Sequence, residues 1–241
     1  MGLGIITLGF MTFKLGFSNI LDNIQKTGGW FIPIICSWLL IYIFNALAFR
    51  QIIKEPQLPS SNLPFLTILR LTVTGYAINY ITPFVALGGE PYRIIELKKY
   101  VGMNKATSSV LIYGMMHVFS HIIFWLLSIF LIVAILPLNK LMLAGCIIAF
   151  FIGSIITFWF LKVYKNGFTV STFNFLVKVP LLKRFGINFV NENSESLHEI
   201  DHQIKVLYAQ RKSKFLMALT YEIIARVITC AEIYFATVAM D

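Results

Sequence analysis

Apolar windows that approach or exceed the ~20 residues needed to cross a bilayer core recur along this chain. They run from Trp30 to about Ala48, over 104–137, over 141–162, and from Phe215 to the end at Asp241. A soluble domain cannot hide that many fully apolar helices, so the chain is read as an all-α, polytopic helical membrane protein with five to six spans. The alternating apolar/polar period of a membrane β-barrel is absent.

Composition agrees. The chain is 58% hydrophobic and 13% charged, with 22 phenylalanines, and its mean hydropathy is +0.78. The net charge of +9 fits basic loops on the cytoplasmic side of a membrane protein better than a nucleic-acid surface, and no nucleic-acid partner is expected. Cys36, Cys146 and Cys230 lie in apolar runs without CxxC spacing. They read as small buried hydrophobes, and no metal site or cofactor is expected. The N-terminus lacks the basic leader and small-residue cleavage site of a signal peptide and is read as the opening of a retained first span over residues 3–20, interrupted by Lys14.

The run from Phe65 to Leu87 is different. Arg70 lies near its start and Pro83 near its end, and the residues between them reach only about 20 Å as helix, short of the roughly 30 Å core. Gly88-Gly89 supply a sharp turn, Glu90 stands at or beside an N-cap, and Pro91 suits the first turn of a new helix that ends near Gly102. Asn104 can cap the helix after that. A re-entrant broken helix over 65–92 is expected. With re-entry, Lys and Arg divide 16 against 2 between the two faces, and the N-terminus is cytoplasmic; with full crossing they divide 14 against 4. Both obey the positive-inside rule, so the count favours re-entry only mildly.

Residues 163–214 form a basic segment with an acidic patch at Glu192, Glu195, Glu199 and Asp201. Leu197, Ile200, Ile204 and Leu207 recur at helical spacing, which predicts an amphipathic helix against the membrane or the bundle, with a Ser196/Glu199 capping box. The whole of 1–241 is read as a single membrane domain.

Asn79, Thr82, Pro83, Gly88, Gly89, Glu90 and Arg93 form the densest polar constellation. One reading is an interfacial turn with local i,i+3 ion pairs. The other is a cavity in which unwound backbone and a half-helix N-terminus face an anionic group, with Arg93 suited to a phosphate. The pattern Asn-x3-Pro-x4-Gly-Gly-Glu-x2-Arg after a hydrophobic run resembles the flippase-like membrane domain of bacterial lysylphosphatidylglycerol synthases and their stand-alone relatives. That resemblance implies movement of a charged phospholipid or lipid-linked headgroup between leaflets of the cytoplasmic (inner) membrane. Asn79, Pro83, Gly88, Glu90 and Arg93 are the matching positions. Relatives usually continue through further helices, including a later Pro/Gly-rich motif with a glutamate, so a truncated form or a fragment is expected. They also often carry Arg-Trp where this chain has Arg50-Gln51. The chain contains no aminoacyl-transferase domain, so the synthase reaction is not carried over.

Two further groups stand inside apolar runs. Glu222 and Arg226 lie one helical turn apart, and charges in a membrane helix normally face the bundle interior or water. They read either as a structural ion pair or as a substrate or proton site. His117 and His121 share a helix face, but Val-Phe-Ser between them lacks the glutamate of HExxH, so packing or hydrogen bonding between helices is expected in place of metal binding. His198 and His202 are read as a solvated face.

The expected function is a non-enzymatic lipid translocator in which Arg93, helped by Arg226, neutralises a lipid phosphate. Glu90 and Glu222 complement a cationic headgroup or orient the arginines. No GxxxxGK[ST] loop is present, so the chain carries no ATP site of that type. The alternative is a non-transporting scaffold or partner subunit of a lipid- or glycan-synthesis enzyme, and a homo-oligomer is also compatible. An intramembrane enzyme ranks last, because no nucleophile–base pair or metal cluster stands at a credible spacing.

Overall fold

A computed structural model of the protein describes residues 2–82, 88–166, 198 and 201–238. Pro83, the Ser196/Glu199 capping box, and Leu197 and Ile200 of the amphipathic pattern lie outside the described residues. All the described regular structure is helical apart from one isolated bridge, Glu55 to Leu58.

The N-terminal stretch corrects one expectation. A single span over 3–20 does not form, because Gly16 takes φ +80°, a left-handed value that only glycine adopts without strain. The chain divides there into α1 (Gly2–Leu15) and α2 (Phe17–Thr27). Fourteen residues reach about 21 Å as helix, too short to cross. In α2, Phe17, Leu21 and Ile24 are exposed beside Asp22, Gln25 and Lys26, the pattern of a helix lying along an interface.

A 3-10 turn at Gly28–Trp30 leads into α3 (Phe31–Ile53). Pro33 sits in its first turn, where no intrahelical N–H is needed. A loop closed by Ser61, whose Oγ accepts from the Glu55 N–H at 2.7 Å, connects to α4 (Phe65–Ile81). Then come α5 (Gly89–Val101), α6 (Met103–Ile135), α7 (Lys140–Asn166) and α8 (Lys212–Val238). Asn104 is not the cap of α6. Gly102 precedes the helix, again at φ +80°, and the Asn104 carbonyl accepts from Ser108 Oγ.

Phe17–Ile53, Met103–Ile135 and Lys140–Lys162 are long and apolar enough to cross a membrane, and Phe65–Ile81 is a shorter apolar helix. The 27 residues of α8 give it length to cross, but it carries Glu222, Arg226 and Glu232.

Helix order follows from contacts. Phe44 meets Tyr221 and Trp30 meets Phe235, each at 6.1 Å between ring centroids, so α3 and α8 run antiparallel along their length. They are the most extensively paired helices, and the buried alanines Ala46, Ala48, Ala218 and Ala225 let backbones approach as small residues do in membrane bundles. Phe119 stacks on Phe160 at 5.6 Å, joining α6 to α7. The core gathers Phe49, Ile53, Ile68, Leu97, Met116 and Phe215 among others, and the lipid-facing sides of α6 and α7 leave Phe130, Ile135, Phe151 and Phe158 exposed.

One end of this bundle is basic. Lys105 pairs with Glu55 at 2.5 Å and reaches Gln203 at 2.8 Å. Arg211 donates to the carbonyls of Gln51 and Lys54. Burial pushes its guanidinium below the ordinary value, against the pull of Glu55. Ile204 and Leu207 are buried in the core, so the described part of the expected amphipathic helix lies against the bundle.

Candidate functional site

The site begins where α4 and α5 fold back on each other. A Cβ on Gly89 would strike the Gly75 carbonyl oxygen and come within 2.8 Å of Asn79 Oδ1, and one on Gly75 would come within 2.7 Å of Arg93 Cζ. Glycine at 89 is what lets the two backbones touch, and glycine at 75 is what leaves room for the Arg93 guanidinium. Asn79 Oδ1 then accepts the Gly89 N–H at 2.7 Å, satisfying one of the free donors at the start of α5.

Contacts run in antiparallel order, Asn79 to Gly89 and Thr72 to Arg93. Helix α5 also contacts the Pro59–Ser61 turn just before α4. Thirteen residues of α5 reach about 20 Å, too little to cross. The pair is therefore a hairpin that enters and leaves by the same end, the arrangement expected for 65–92.

Arg93 projects from α5 into this hairpin and is 2% exposed. It donates to Glu90 Oε1 at 3.4 Å and to the Thr72 carbonyl at 3.3 Å. Both bonds are long for their type. Its guanidinium also lies over the rings of Tyr76 and Tyr113, at 4.7 and 5.5 Å from their centroids, a favourable placement for a desolvated cation. Arg93 Nε and Glu90 Oε2 are buried without a hydrogen-bond partner.

The second constellation lies deeper. Glu222 is fully buried, yet its Oε2 serves three groups: His117 Nδ1 at 2.9 Å, Arg226 Nη2 at 3.2 Å and Ser120 Oγ at 3.5 Å. Its Oε1 serves none, and Arg226 Nε is likewise buried and unpaired. Arg226 Nη2 also stands 2.8 Å from His117 Nδ1 and 2.9 Å from Nε2.

Two tyrosines join the constellations. The Tyr76 hydroxyl is 3.0 Å from that of Tyr113 and 3.4 Å from His117 Nδ1, and Asn45 donates to it at 3.4 Å. A continuous polar path therefore runs from Asn79 and Glu90, through Arg93, Tyr76 and Tyr113, to His117, Glu222 and Arg226. Its formal charges are two carboxylates and two guanidiniums, so with neutral imidazole it is balanced. Counted from the basic end, Arg93 stands about 12 Å along α5 and His117 about 21 Å along α6, the depth of a membrane interior.

Of the residues singled out from sequence, the structure brings together Asn79, Gly88, Gly89, Glu90 and Arg93 at the hairpin and Glu222 with Arg226 on α8. Gly88 packs against Ile78 and Thr82, and Pro83 lies outside the described residues. Of the two roles expected for His117, packing or hydrogen bonding between helices, the structure shows a hydrogen bond, and to a charged partner. Sequence reasoning missed Asn45, Thr72, Tyr76, Tyr113 and Ser120. A signal was present: Thr72, Tyr76 and Asn79 fall on one face of α4, and Tyr113, His117 and Ser120 on one face of α6, the i, i+4, i+7 spacing of a polar stripe.

A helical bundle with a charged, hydrogen-bonded interior and lipid-facing apolar helices is a multi-pass membrane protein. The chain belongs to the family described as "Lysylphosphatidylglycerol synthase TM region", whose model matches residues 1–241. Comparison with curated proteins gives no match, and comparison with solved structures gives none.

Proposed function

We propose that this protein moves a charged phospholipid, or a lipid-linked headgroup, between the leaflets of a bacterial cytoplasmic membrane, with its basic end facing the cytoplasm. The observation that carries this reading is the charge-balanced polar path at membrane depth, which keeps four of its own polar atoms unpaired: Glu90 Oε2, Arg93 Nε, Glu222 Oε1 and Arg226 Nε. Unpaired polar atoms in a low-dielectric interior are costly. A headgroup that carries a phosphate and an amine offers each of them a partner. Arg226 and Arg93 supply donors to the phosphate, and Glu90 and Glu222 supply acceptors to the amine. The path passes them from the hairpin to α8, along the direction a headgroup has to travel. No enzymatic role is assigned to these residues.

The test is leaflet accessibility of labelled phospholipid in proteoliposomes, comparing wild type with Glu90→Gln and Arg226→Gln. Faster exchange in wild type, reduced in both variants, supports transport. Rates equal to those of empty vesicles for all three overturn it.

One observation favours a second reading, a non-transporting scaffold or partner subunit of a lipid- or glycan-synthesis enzyme. Arg93 is already held by Glu90, Thr72 and two tyrosine rings, as a purely structural arginine would be. Co-purification of an intact synthase without lipid movement selects this reading.

A further inference from the structure

His117 and Arg226 compete for one carboxylate oxygen. Glu222 Oε2 receives both, at 2.9 and 3.2 Å, while Glu222 Oε1 stands empty. The two cation-forming groups are themselves only 2.8 Å apart. Arg226 Nη2 stands at nearly equal distance from both ring nitrogens, 2.8 and 2.9 Å, so the guanidinium lies against the imidazole ring and not along one lone pair. That placement is sound when the imidazole is neutral, as a cation against an uncharged aromatic ring. It is not sound when the imidazole is protonated: both nitrogens become donors, and two positive charges meet at hydrogen-bond distance in a medium that screens them poorly.

We propose that His117, Glu222 and Arg226 form a proton-binding site, and that loading it turns Arg226 toward the lipid phosphate. The proposal rests on the lipid-translocator reading and deepens it by naming a coupling ion. One proton from water is taken up on the imidazole nitrogen that held the lone pair, and no other bond is made or broken. His117 keeps Glu222, where the empty Oε1 offers it a second acceptor. Arg226, 11% exposed along its side chain, loses its place at the ring and requires a new anion. A phosphate monoanion supplies one, and proton plus phosphate enter as a neutral pair. When the proton leaves, Arg226 returns to the ring and the phosphate is released.

The charged and titratable surroundings are compatible with this exchange. Tyr42 on α3 meets Tyr76 on α4 at 5.7 Å, and Tyr76 and Tyr113 adjoin the ring of His117. Glu90 and Arg93 on α5 are paired with each other. His121 on α6 stands edge-on to His117 at 5.3 Å. Helix α7 carries Lys140 and Lys162 toward its two ends. Tyr76, Tyr113 and His121 lie within reach of the Glu222 charge. The groups bonded to Oε2, however, are His117, Arg226 and the uncharged Ser120, so the competition between cation-forming groups is between His117 and Arg226.

The experiment is calorimetric titration of the purified full chain in detergent with dihexanoyl phosphatidylethanolamine, between pH 7.5 and 5.5, in two buffers of different ionisation enthalpy. Wild type should bind more tightly as pH falls, by up to about tenfold per pH unit for one linked proton, and the buffer comparison should show proton uptake with each lipid bound. His117→Gln should bind with a flat pH profile and no proton uptake, and His121→Gln should keep the wild-type slope. The wild-type proton count tests the idea even if a variant fails to fold. Binding that is independent of pH and takes up no proton overturns the coupling and leaves the lipid reading standing. A slope that persists in His117→Gln, or that disappears only in His121→Gln, also overturns it. No binding at any pH removes the lipid reading, and the coupling with it.

Discussion

Asn79 Oδ1 accepts the backbone N–H of Gly89 at 2.7 Å, ten positions further along the chain. This one bond ties the end of α4 to the start of α5, and Gly89 makes it geometrically available because it has no Cβ to strike the Gly75 carbonyl. The polar path begins at this closure.

Gly89→Ala should therefore destabilise the hairpin. The added methyl meets backbone, which cannot swing aside as a side-chain end can, and overpacking of this kind costs about 1–3 kcal/mol. Thermal unfolding in detergent is the measurement. A melting temperature equal to wild type would show that the two helices are not packed this closely.

Removing the Glu222 carboxylate should be more damaging than removing it together with its partner. Glu222→Leu leaves Arg226 buried without its carboxylate, and breaking a buried pair from one side costs about 3–5 kcal/mol. The double variant Glu222→Leu/Arg226→Leu should recover part of that loss. A double-mutant cycle on unfolding free energy reads the coupling, and strictly additive effects would contradict the pairing.

Tyr76→Phe separates stacking from hydrogen bonding. The ring under Arg93 is kept, while the links to Tyr113, Asn45 and His117 are lost, so stability should fall by only about 1 kcal/mol. Lipid exchange in proteoliposomes should fall severalfold, because the path is cut at its middle. Unchanged exchange would show that the two constellations work independently.

The hairpin also fixes sidedness. In a background with Cys36, Cys146 and Cys230 replaced by serine, cysteines at the exposed Ser60 and Lys98 should react with an impermeant reagent from one face of sealed vesicles. A cysteine at Lys140 should react only from the other. Labelling of positions 60 and 98 from opposite faces would replace re-entry with full crossing.

Much of this was legible in the sequence. Long apolar runs dictate membrane helices, since nothing else satisfies backbone hydrogen bonds in lipid. The short reach between Arg70 and Pro83 and the Gly-Gly-Glu-Pro turn dictate a broken helix, and charges one turn apart in α8 mark a functional or structural pair. The break at Gly16 was less legible, because its positive φ is a property of the folded backbone and glycine itself permits either hand.

By itself, then, the sequence determined a helical membrane bundle, a broken helix at Asn79–Arg93, and two separate places where charge enters the apolar interior. Only the tertiary structure decided that these are one site. Glu90 and Arg93 are far in sequence from Glu222 and Arg226, and the link between them is made by uncharged groups, Tyr76 and Tyr113, with His117 at the join. Such residues are unremarkable in a string of letters. They become a path because α4, α5, α6 and α8 pack with their polar faces turned inward, where an unpaired charge is costly and every hydroxyl within reach becomes its partner.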